Sequence, residues 1–163
     1  MRTFRVVDSP IGPLTLTWDA DRDAVVGLHV HDQRELAPDP AFGTPDDGAC
    51  AGLDDLAGEL DEYFAGERRR FAVPVDPPGT PFSRAVFAAL SEVPYGEVTT
   101  YGALAAAIGR PRAAQAVGTA NARNPVSLLV PCHRVVNAAG HPSGGGPGIA
   151  RKRLLLSLER GSP

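Results

Sequence analysis

Residues 80–121 read TPFSRAVFAALSEVPYGEVTTYGALAAAIGRPRAAQAVGTAN, and three helices can be read in that stretch. Thr80 is an N-cap residue, and Pro81 suits the first helical position, where its missing N–H costs nothing. Phe82, Val86 and Leu90 recur every four residues and form a buried stripe. After a turn at Pro94-Tyr95-Gly96, Thr100 caps a second helix that carries Tyr101, Leu104 and Ile108. Gly109 ends this helix, and Pro111 restarts a third, expected over 111–121. Two short helices joined by a Gly-Arg-Pro turn have the form of a helix-turn-helix. The third helix shows Ala113, Ala114, Ala116, Gly118 and Ala120. So small a surface is unsuited to major-groove reading, where Arg, Asn and Gln dominate. It lets a helix lie against a backbone or a narrow groove, and it serves tight helix packing equally well.

Upstream, Pro74, Pro77, Pro78 and Gly79 mark residues 74–79 as a linker between an N-terminal domain, 1–73, and a C-terminal domain, 80–163. The N-terminal domain opens as strands. Leu14, Leu16 and Trp18 alternate with Thr15 and Thr17, Val26, Leu28 and Val30 repeat the alternation, and residues 4–7 offer a shorter strand. Asp8-Ser9-Pro10, Gly12-Pro13 and Asp19-Ala20-Asp21 supply the turns of an antiparallel meander. His29 and His31 share the polar face, expected to be solvated rather than metal-binding, since no Cys or carboxylate pattern joins them. Residues 33–48 read as a surface loop. Leu53, Leu56, Leu60, Tyr63 and Phe64 then follow helical spacing, with Cys50 near the helix start as a small packing residue and Arg68-Arg69-Arg70 as a solvated charge run.

The net charge of −3 conceals a split. Residues 1–78 hold 7 Arg and 16 acids, a balance of −9; residues 79–163 hold 8 Arg, one Lys and 3 Glu, a balance of +6. A basic half is a candidate partner for a polyanion, although two opposite halves also attract each other. No apolar run approaches the roughly 18 residues of a membrane span, and the first five residues lack a secretory core. Two Cys are too few for a disulfide scaffold, which points to a reducing cytosol.

Downstream, the apolar run 125–130 leads into Pro131-Cys132-His133-Arg134, and a final helix carries Leu154, Leu155 and Leu158. A thiol reacts as thiolate, which needs a base or a positive field, and His133 and Arg134 adjoin Cys132. In an extended segment neighbouring side chains point to opposite faces, so a water or a local turn must connect the thiol to the imidazole. No second Cys lies nearby to complete a zinc site, and no metal is expected. By composition alone, an inert buried Cys competes with a reactive one.

The residues Val93-Pro94-Tyr95-Gly96-Glu97-Val98-Thr99-Thr100-Tyr101, Ala116-Val117-Gly118, Asn124-Pro125 and Pro131-Cys132-His133-Arg134-Val135, with the helix 152–159, resemble the catalytic domain of the methylated-DNA–protein-cysteine methyltransferases, the O6-alkylguanine-DNA alkyltransferases. The resemblance implies an α+β fold: a small antiparallel sheet with a helix, then a mainly helical, winged-helix-like alkyltransferase domain. It implies double-stranded DNA carrying O6-alkylguanine as partner, no obligate protein partner, no cofactor, and a monomer. The damaged guanine would be flipped out through the minor groove, and Cys132 would take its alkyl group irreversibly, once per molecule. His133 would receive the thiol proton through water, Glu159 would orient His133, and Asn124 would hold the active-site turn. Tyr101 would donate to the guanine ring, the carbonyls of Cys132 and Val135 would accept from its amine, and the Gly146 amide would donate to O6. Tyr101, Gly102, Arg110 and Gln115 would meet the DNA, while Arg134 would form a structural ion pair.

Two positions depart from the family pattern. Gln115 stands where the family usually carries the Arg that fills the gap of the flipped base, and the lost cation–π contact weakens flipping by about 1 kcal/mol. Gly145 stands where an aromatic, commonly Tyr, walls the pocket; its absence removes about 150 Å² of contact, and Gly144-Gly145-Gly146 leaves the loop less pre-organised. The expectation is a pocket open to adducts bulkier than methyl, with weak repair of small alkyl groups as the competing outcome. Two other functions stand beside repair: a lesion-binding protein without chemistry, against which Cys132 argues, and an alkyl acceptor repurposed as a sensor or for a small molecule.

Overall fold

Ser9 begins the first hairpin: its hydroxyl donates to the Gly12 carbonyl at 2.6 Å and accepts from the Ile11 amide at 3.2 Å. Gly12 takes a φ of +110°, a backbone region closed to most side chains. The turn pairs strand β1 (Arg2–Val7) antiparallel with β2 (Leu14–Asp19), which pairs antiparallel with β3 (Ala24–Val30). The computed structural model describes residues 1–31, 42–143 and 147–161. They divide into two compact units, Met1–Pro77 and Pro78–Pro163. Among the described residues no helix is long and apolar enough to cross a membrane.

The first unit contains the expected meander with one addition. A two-residue strand β4 (Thr44–Pro45) runs parallel to β1, so the order is β3-β2-β1-β4 and the sheet is mixed. Proline suits this edge because it need not donate outward. Helix α1 (Ala51–Phe64) covers the Leu14–Leu16–Trp18 face, burying Leu53, Leu56, Leu60 and Tyr63. Each such side chain stabilises the fold by about 1.5–3 kcal/mol. Cys50 is the N-cap of α1 and offers no side-chain cap; its amide donates to Asp46 Oδ1 instead. Arg5 ties Asp46 and Asp54 to the sheet.

The Thr15–Thr17 face differs from its expected solvation. Thr15 and Thr17 are buried, because β2 is a central strand and Phe42 lies over the face, its ring 5.3 Å from His29 and 6.4 Å from His31. The two histidines therefore pack and hydrogen-bond, His31 to Thr15. Part of the stretch read as linker belongs to the sheet: Val25 donates to the Pro74 carbonyl and accepts from the Asp76 amide, both at 2.9 Å. Arg68 is not a free charge either, since it pairs with Glu62 at 3.1 Å.

In the second unit, helix α2 (Pro81–Ser91) starts where expected, with Thr80 Oγ1 accepting from the Ser83 amide at 3.1 Å and Val86, Phe87 and Leu90 buried. Strand β5 (Thr99–Thr100) leads into α3 (Tyr101–Ala107), capped by Thr100, which accepts from the Ala103 amide at 3.1 Å. The third helix of the motif, α4 (Ala114–Ala122), begins three residues later than Pro111 suggested. The Ala113 amide donates to Arg110 O and closes a separate turn over Pro111 and Arg112. Residues 132–134 form a single 3-10 turn, followed by strand β6 (Val135–Val136) and helix α5 (Pro147–Glu159). The inward face of α5 is Leu155, Leu156 and Glu159, and Leu154 is exposed.

Candidate active site

Chain segments distant in sequence meet through a very short parallel pairing. Strand β5 pairs with β6 in the register Thr99↔Val135 and Thr100↔Val136. Tyr101 follows β5 directly and the Cys132-His133-Arg134 turn precedes β6 directly, so the pairing ties the two together. Cys132 and His133 sit in a local 3-10 turn rather than in an extended segment. Arg134 donates its amide to Pro131 O at 3.0 Å, and Cys132 donates to Val130 O at 2.8 Å. In this turn His133 is directed inward and is buried, while Cys132 keeps partial access to solvent.

His133 Nε2 lies 2.7 Å from Glu159 Oε2. A carboxylate can only accept here, so Nε2 carries the hydrogen and Nδ1 is left as an acceptor. Nδ1 is buried and has no hydrogen-bond partner among the described residues. Burial holds the His133 pKa below its ordinary value, aided by the Arg134 and Lys152 charges and opposed by Glu159. Burial therefore favours the neutral imidazole, in which Nδ1 is the bare basic nitrogen.

Glu159 is shared. Arg134 grips it with two donors, Nε to Oε1 at 2.8 Å and Nη2 to Oε2 at 3.0 Å. The same guanidinium donates to Val93 O at 2.7 Å and lies 5.8 Å from the Tyr95 ring centroid. The Val-Pro-Tyr-Gly segment thus seats the ion pair that the sequence assigned to Arg134.

Around the thiol, Asn124 donates to Val130 O at 2.8 Å and accepts from the Val126 amide at 3.0 Å, fixing the loop before the nucleophile. Leu128, buried within that loop, takes a φ of +71°, a backbone region that is costly for a residue other than glycine. Desolvation pushes the Cys132 thiol up; hydrogen bonds from Asn124 and Ser127 and the Lys152 charge pull it down. Ser127 and Lys152 escaped the sequence reading. Their signals were faint: Ser127 is the only polar residue in the run 125–130, and Lys152 is the only lysine.

The remaining described candidates fall on β6, on α3 and α4, and on the segment between those two helices. Tyr101 bonds its hydroxyl to Ser143 Oγ at 3.1 Å. Val135 is buried beside β5, and its carbonyl belongs to the strand after the turn. Gly102 and Gln115 are exposed on α3 and α4, and Arg110 is exposed with its guanidinium 5.7 Å from the Phe82 ring centroid. Gly145 and Gly146 lie outside the described residues. Among the described residues no group of three or more His, Cys, Asp or Glu could hold a metal ion.

A helix pair of the nucleic-acid-binding kind beside a cysteine with a buried His–Glu–Arg cluster defines a class: a two-domain protein with one cysteine-centred site. Residues 3–77 match the ribonuclease-like domain of 6-O-methylguanine DNA methyltransferase, and residues 81–161 match its DNA binding domain. The chain belongs to the 6-O-methylguanine DNA methyltransferase family. The methylated-DNA–protein-cysteine methyltransferase of Mycobacterium tuberculosis is 46% identical over 96% of this chain and 92% of its own length. The constitutive enzyme of that name from Bacillus subtilis is 35% identical over 98% of this chain and 96% of its own. The crystal structure of M. tuberculosis O6-methylguanine methyltransferase superposes with a TM-score of 0.87 at 44% identity, covering 100% of this chain and 95% of that one. A crystal structure of M. tuberculosis OGT in complex with DNA superposes at 0.85, again at 44% identity, covering 99% and 95%.

Proposed function

We propose that this protein repairs O6-alkylguanine in duplex DNA by transferring the alkyl group to Cys132. The observation that carries the reading is the buried, Glu159-anchored His133 adjoining a partly accessible Cys132 in one 3-10 turn. His133 Nδ1 takes the thiol proton through a water, and the Cys132 thiolate attacks the alkyl carbon. The new S–C bond forms as the C–O6 bond breaks, and guanine leaves with the bond's electron pair. Tyr101 supplies a proton as the ring takes up that charge, once its hydroxyl leaves Ser143. The carbonyls of Cys132 and Val135 accept from the exocyclic amine, and the Gly146 amide donates to O6. The thioether is stable, so each molecule reacts once. Helices α3 and α4 lie on the DNA, with Gly102 allowing close approach, Arg110 meeting phosphate and Gln115 entering the stack without the usual charge.

Gly145, in place of a pocket aromatic, makes the site tolerant of large adducts. Intact-mass spectrometry tests both levels. After incubation with duplex DNA holding O6-methylguanine or O6-benzylguanine, the chain gains one alkyl mass and Cys132→Ser gains none. Transfer from the benzyl lesion is the faster. Faster methyl transfer than transfer from every bulky adduct would sink the open-pocket reading; no mass gain with tight lesion binding would make the protein a sensor.

A further inference from the structure

The last turn of α4 holds a buried amide that the proposed reaction does not use. Asn121 is 8% exposed, in a helix whose other inward residues, Val117 and Ala120, are apolar. Its Nδ2 donates to the carbonyl of Cys132 at 3.4 Å, and its Oδ1 is buried without a hydrogen-bond partner among the described residues. An amide buried with half its hydrogen-bonding capacity unmet is costly, and an apolar side chain at this position avoids that cost. Reversing the amide does not help, because Oδ1 would then face the Cys132 carbonyl.

Asn124, three residues on, holds the Val130 carbonyl at 2.8 Å, and the Cys132 amide donates to that same carbonyl. Two amides, one in the last turn of α4 and one just beyond its C-cap, therefore hold the carbonyls of Val130 and of Cys132 itself. From this geometry we infer that Asn121 is a positioning residue, which transmits the seating of α4 on DNA to the direction of the Cys132 sulfur. The inference rests on the proposed alkyl transfer. Displacement of a reacting atom by about 1 Å can slow a reaction about a hundredfold, so a modest loosening of this anchor is measurable.

The test compares two substrates in single turnover: O6-benzylguanine in duplex DNA, which seats α4, and free O6-benzylguanine base, which does not. Asn121→Leu removes the donor and fills the space, and Asn121→Asp keeps the shape but presents only acceptors to the carbonyl. Both variants should react with duplex about tenfold more slowly than the parent chain and with free base within about threefold of it, at unchanged duplex affinity. Equal slowing with both substrates would overturn the inference, since Asn121 would then act on the fold or on thiol reactivity in general. Unslowed duplex reaction in a folded Asn121→Asp chain would overturn it also, while leaving alkyl transfer intact. A parent chain that gains no alkyl mass from either substrate would overturn the alkyl-transfer reading, and this inference with it.

Discussion

At the level of single residues, Glu159 carries most of the site's electrostatic design. It accepts from His133 and twice from Arg134, and its side chain is fully enclosed. Glu159→Gln would leave the Arg134 guanidinium buried without a counter-charge, and breaking a buried pair in this way costs about 3–5 kcal/mol. Urea unfolding should register a loss of that order; a loss under about 1 kcal/mol would mean that the pair is solvated. The two titrating groups of the turn give opposite pH limbs. His133 is held below its ordinary 6.5, so the unfolded chain binds the extra proton first. Its contribution to stability is present above pH 6.5 and lost as pH falls through the lowered folded value. Cys132 is held above its ordinary 9.0, so its contribution is present below pH 9 and lost as pH rises through the raised value. In unfolding midpoints measured across pH, His133→Gln should flatten the acid limb and Cys132→Ala the alkaline one. Unchanged limbs would contradict the burial of these groups.

At the level of elements, helix starts were the most legible feature. Thr80 and Thr100 cap the helices that the sequence assigned to them, because an N-cap is a contact between residues only three apart. The start of α4 was misplaced because Pro111 is as compatible with a turn as with a helix start, and Ala113 offers no capping side chain. Packing between elements was not legible at all, as Gly52 shows. In an ordinary helix, Gly→Ala adds about 1 kcal/mol of stability. A Cβ at Gly52, however, would lie 2.5 Å from the Trp18 ring of β2. The overpacking cost, about 1–3 kcal/mol, exceeds the propensity gain, so Gly52→Ala should lower the thermal midpoint. A raised midpoint would mean that α1 sits further from the sheet.

Across the whole molecule, the −9 and +6 halves coincide with the two matched domains. The charge that reads DNA phosphate in the proposed function is spread around the site rather than concentrated in α4, where the neighbouring Arg112 is exposed and Gln115 is neutral. Binding should therefore weaken linearly in log–log plots against salt. Arg112→Gln should make that slope shallower by about 0.9, the share of one phosphate contact. It should weaken lesion and undamaged duplex alike, since a phosphate contact carries no lesion information. Loss confined to lesion DNA would place Arg112 at the base instead.

Local information settled much of this protein: strand alternation, turn residues, caps, the two-part charge distribution and the Pro-Cys-His-Arg segment are all readable within a few residues of one another. Three features needed distant residues to meet. The β5–β6 pairing joins Tyr101 to the Cys132 turn. The Phe42 cover turns an apparently polar strand face into packed interior. The Asn121 anchor reaches across to the Cys132 carbonyl. Each depends on which backbone groups and side chains fall into register after the chain has folded back on itself, and residue spacing along the chain carries no measure of that distance.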